Sequence, residues 1–127
     1  MGSLVAIAVA LVLVAACGGK SKSAAAVPMG QELYTLSCAA CHGTTGAGNT
    51  FTLKGQTIKV HALGWADLSQ AYATDPSRGS VEQQIGLAIT KGLDEKGEAL
   101  NQMMPRWSTL SSAQVDSIIA YIKANFK

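Results

Sequence analysis

Five residues in the first third of the chain, Cys38-Ala39-Ala40-Cys41-His42, set the terms for everything around them. Two thiols three residues apart, followed at once by an imidazole, form the attachment signature of c-type haem. On a helical turn positions 38, 41 and 42 share one side. Both thiols can then add to the two vinyl groups while the imidazole reaches the iron as proximal ligand. The same residues admit a redox disulfide or half a zinc site. Zinc needs two further ligands, yet beyond residue 27 His61 is the only other Cys or His. A thioredoxin-like site needs βαβ patterning around it, which is missing. Covalent haem is the reading that uses all three side chains.

A chain of 127 residues holds one ordinary domain. Leu4 to Ala16 is an unbroken apolar run, shorter than the roughly 20 residues that cross a bilayer but of signal-peptide length. Residues 1–16 are therefore expected to be a signal peptide. The run ends in Val14-Ala15-Ala16-Cys17, which resembles a bacterial lipobox, with small residues before a Cys that takes a diacylglyceryl thioether. Cys17 is the expected lipidation site, although Met1-Gly2-Ser3 lacks the Lys or Arg usual in such leaders. Gly18 to Val27 is small, polar and without periodicity, so residues 17–27 read as a lipidated Cys and flexible tether. The domain then spans 28–127. It carries eight basic and eight acidic side chains, a balance that argues against a nucleic-acid partner.

Gly30-Gln31-Glu32-Leu33-Tyr34 leads into Cys38, Met104-Pro105-Arg106-Trp107 lies far downstream, and Ile119-Ala120-Tyr121-Ile122 falls near the C-terminus. In this order around the haem motif, these segments resemble the class I c-type cytochromes, small monohaem electron carriers of the bacterial cell envelope. The resemblance covers Pro28 to Lys127. It implies a mainly helical, cytochrome c-like domain around one covalent haem, with the first helix crossing the last through Tyr121. It also implies a methionine ligand directly before the proline. The expected haem-binding set is Cys38, Cys41, His42 and Met104, with His42 and Met104 on the iron. Pro105 restrains the backbone before it to an extended form, which helps hold a ligand loop. Met103 and, for bis-His ligation, His61 are the competing distal candidates. The family pattern includes a loop Pro whose carbonyl accepts the proximal imidazole proton. No Pro occurs between His42 and Pro76, which leaves the acceptor that a ligating His requires unassigned.

Local signals place the remaining elements. Ser111 with Gln114 makes a capping box, and Val115, Ile118, Ile119, Ile122 and Phe126 follow at helical spacing. Ser80 with Gln83 starts another helix, with Val81, Ile85, Ala88 and Ile89 on one face and Gly92 as its stop. A shorter helix is expected over Asp67 to Ala73, and a turn at 94–98. Residues 51–60 alternate on either side of Gly55-Gln56, which predicts a small β-hairpin. Trp65 and Trp107 are candidates to line the haem edge.

The resulting expectation is an electron-transfer protein and not an enzyme, carrying one electron on a His/Met-ligated haem c. It would be a monomer, exported and lipid-anchored to a bacterial membrane, facing the periplasm or outer cell surface. Its partners would be redox proteins of a respiratory or photosynthetic chain. Two other readings stay open: a haem peroxidase or gas sensor with a labile distal ligand, and a cytochrome subunit of a larger oxidoreductase.

Overall fold

The computed structural model describes residues 22–127. In chain order it contains helix α1 (Lys22–Ser37), the single-turn helix α2 (Ala39–His42), strands β1 (Asn49–Leu53) and β2 (Gln56–Val60), and helices α3 (Trp65–Tyr72), α4 (Val81–Lys91) and α5 (Ser112–Asn125). The expected signal peptide, Cys17 and the first part of the tether lie outside the described residues. Among the described residues no helix is long and apolar enough to cross a membrane.

Two helices begin where their side chains dictate. The hydroxyls of Ser80 and Ser111 accept from the N–H groups of Gln83 and Gln114, and those glutamines reach back to the serine N–H groups. Each box satisfies two of the donors that a helix start leaves orphaned. From there α5 buries Val115, Ile118, Ile119 and Ile122, and α4 buries Ile85, Ala88 and Ile89. Gly92 ends α4 in the left-handed conformation. The turn at 94–98 is closed by the Asp94 carboxylate, which accepts from the N–H groups of Lys96 and Glu98 at 2.9 and 2.8 Å.

The core forms where α1 crosses α5. Tyr34 is 1% exposed, and its ring lies 5.5 Å from that of Tyr121 and 5.0 Å from that of Phe126. The crossing is close because Gly30 has no side chain: a Cβ there would fall on the Ser117 carbonyl and 2.9 Å from the Cβ of Tyr121. The Gly30, Tyr34 and Tyr121 pattern thus marks a real helix crossing.

Three boundaries differ from expectation. Helix α1 starts at Lys22, within the stretch read as tether, and runs through Pro28. Ala24 to Ala26 are strong helix formers, while Pro28 cannot donate its backbone bond to the turn before it. Helix α3 starts two residues early, at Trp65. The hairpin is present, but its register pairs Leu53 with Gln56, so the turn is Lys54-Gly55. Both turn residues have positive φ, 49° and 78°, as a two-residue turn matched to strand twist demands.

Candidate haem-attachment site

Cys38 interrupts the α1 and α2 pair without breaking its hydrogen-bond ladder. Its N–H donates to Tyr34 O at 2.8 Å, and the His42 N–H donates to Cys38 O at 2.9 Å. The motif is therefore the end of the helix that the core holds most firmly. Tyr34 reinforces it from inside, its buried hydroxyl donating to Gly43 O at 2.6 Å. Burial, with Cys38 and Tyr121 nearby, holds that phenol well above its usual pKa, so it stays a donor.

Both thiols are free, Cys38 half-buried and Cys41 exposed. Burial, with Cys41 beside it, pushes the Cys38 thiol up to about 11, which keeps it protonated near neutrality. The His42 ring is half-buried, and its Nδ1 lies 3.0 Å from the carbonyl oxygen of His61. That contact defines the tautomer: Nδ1 carries the proton and donates, while Nε2 keeps the lone pair that a metal needs. Burial lowers the imidazole pKa below its ordinary value and outweighs the His61 carbonyl, which acts in the other direction. That direction favours the neutral ring, the form that binds iron.

The carbonyl that sequence reasoning left unassigned is thus supplied by His61 through its main chain. The segment between is tied at both ends, with Gly48 N–H donating to His42 O of the motif at 2.9 Å and Leu63 N–H donating to Gly46 O in the turn after it at 2.7 Å. The hairpin occupies the span between these ties. A main-chain acceptor has no residue type to read, so only the missing proline could have signalled it. The side chain of His61 is exposed.

Met104 and Met103 lie in the long connection between α4 and α5. Met104 is half-buried, whereas Met103 is 46% exposed. Met104 N–H donates to Asn101 O at 3.1 Å, and its carbonyl accepts from Arg106 Nη1 at 2.5 Å. Trp107 N–H is fastened to Ile89 O at 3.0 Å. Trp65 is half-buried beneath the Lys123 ammonium, 4.9 Å from its ring centre.

The donor set fits a covalently held haem. Two free thiols sit beside a neutral imidazole of fixed tautomer. Cys38, Leu63, Trp65, Leu68, Leu100 and Trp107 are among the apolar residues packed against the core yet only partly buried. The alternatives lose ground. Among the described residues no group of three or more His, Cys, Asp or Glu side chains is placed to hold a metal ion. The only sheet there is the β1–β2 hairpin, not a thioredoxin-like βαβ unit.

Comparison with known proteins agrees. The chain is 28% identical over 125 residues to cytochrome c6 from Picosynechococcus sp., covering 96% of this chain and 92% of that protein. No solved structure matches the chain. The cytochrome c family matches residues 27–125, the stretch holding the thiols, the imidazole, the helix crossing and both candidate methionines, and the chain accordingly belongs to the cytochrome c family as an electron carrier with a covalently attached c-type haem.

Proposed function

We propose that Cys38 and Cys41 would carry the haem as thioethers, that His42 Nε2 and the Met104 sulfur would hold its iron, and that the protein is a carrier and not an enzyme. When bound, the haem would supply an iron that takes up and returns one electron, and His42 and Met104 are the residues that would hold that iron. The observation that carries this reading is the His42 Nδ1 to His61 O contact at 3.0 Å. It fixes the ring, leaves Nε2 for iron, and sets His61 on the Nδ1 side of the imidazole, away from any distal position. Met104 is favoured over Met103 by its burial and by Pro105 behind it.

The protein is exported and held to a bacterial membrane through Cys17, as a monomer facing the periplasm or outer surface, and it passes electrons to redox partners of a respiratory or photosynthetic chain. Support comes from the apolar run before Cys17, the nearly neutral domain, and a cytochrome c6 alignment that extends over 96% of the chain and so takes in much of the leader. Cys38→Ser and Cys41→Ser test the attachment. In a host competent for haem attachment, the parent should keep its haem through denaturing electrophoresis, and the double variant should lose it. Haem that stays covalently bound in the double variant overturns the assignment.

A further inference from the structure

Arg106 follows Pro105 directly. Among the described residues the only ion pair is Lys123 with Glu82, so the guanidinium meets no carboxylate there. It is instead spent on main-chain carbonyls of one loop: Nη1 donates to Met104 O at 2.5 Å, Nη2 to Leu100 O at 2.9 Å, and Nη1 lies 3.4 Å from Asn101 O. The side chain lies against the end of α4, where a Cβ on Gly92 would overlap the guanidinium. The Leu100 N–H in turn donates to Gly92 O at 2.8 Å. A planar cation with five donors in a fixed fork is well suited to gather several carbonyls at once, and the carbonyl end of a helix is a favourable place for it.

We propose that Arg106 is a positioning residue that braces the Met104 loop against the end of α4, so that the Met104 sulfur resists displacement from the haem iron by other ligands. The proposal rests on Met104 being the distal ligand. A thioether is a neutral, weak ligand carried here on a segment without regular structure. Its hold depends on how often the loop leaves, and each carbonyl that Arg106 fixes lowers the population of the open loop.

The test uses the ferric holoprotein with imidazole as the competing ligand, followed through the iron-sulfur absorbance at the red end of the visible spectrum. Arg106→Ala should keep its covalent haem and bind imidazole roughly tenfold more tightly, the effect of one net hydrogen bond. Arg106→Lys, with donors but no fork, should fall between parent and alanine. Ile118→Val, a buried α5 residue remote from the loop in sequence, gives the effect of lost global stability alone and should leave imidazole affinity at the parental value. Arg106 variants within twofold of the parent, or an Ile118→Val shift equal to theirs, overturn the proposal. If Arg106→Ala yields no holoprotein, Arg106→Lys decides by the same criterion. Met104→Ala separates the two layers. Loss of its sulfur band with parental imidazole affinity in the Arg106 variants refutes the brace alone, while a retained band refutes the ligand assignment and the brace with it.

Discussion

The imidazole of His42 is oriented by an atom that has no side-chain identity. The two thiols and the imidazole could be read directly from the sequence because their chemistry demands those residue types at that spacing. The partner of Nδ1 could not, since any residue at 61 presents a carbonyl. His61→Ala should therefore leave the visible spectrum and haem content unchanged, because the acceptor survives the substitution. A changed spectrum would mean that the ring of His61 takes part and that ligation is bis-His. Burial also separates the two methionines that adjacency made hard to tell apart. Met103→Ala, at a site 46% exposed, should alter stability by no more than about 0.5 kcal/mol in denaturant titration and should keep the sulfur band.

At the scale of elements, what could be read ahead was set by local side-chain chemistry. Both capping boxes, the αL stop at Gly92 and the apolar stripes of α4 and α5 lie where their own residues put them. The hairpin was legible from its alternation, but its turn shifted by one residue, because strand pairing decided the register over the preference of Lys54 for negative φ. The start of α1 was hidden by a conflict between Ala propensity and a proline. The α1–α5 crossing was visible only through resemblance, and its physical basis is the Gly30 contact with Ser117. Gly30→Ala tests that basis. Alanine gains up to about 1 kcal/mol of helix propensity, but a Cβ set on the Ser117 carbonyl puts the overpacking in the upper part of its range, about 2–3 kcal/mol, so a net loss of at least about 1 kcal/mol is expected from chemical denaturation. An unchanged or raised midpoint would show that the helices do not cross so closely.

For the whole molecule, the core is small: Tyr34, the α4 and α5 stripes and Phe126 support a domain of a size that is marginal on its own. Several apolar residues packed against that core, Leu63, Trp65, Leu100 and Trp107 among them, stay only partly buried. Anchoring is a separate matter, outside the described residues. Cys17→Ser should move the protein to the soluble fraction with its visible spectrum intact, since each acyl methylene contributes about 0.8 kcal/mol to membrane binding. A variant that stays membrane-bound after a salt wash contradicts the lipid anchor. The central claim is a covalent haem held between His42 and Met104, and it is tested most directly by the ferric absorption spectrum of parent and Met104→Ala at the red end of the visible range. The account predicts an iron-sulfur band in the parent and its loss in Met104→Ala, with the haem still attached in both. A band that persists in Met104→Ala, or one missing from the parent, would contradict it.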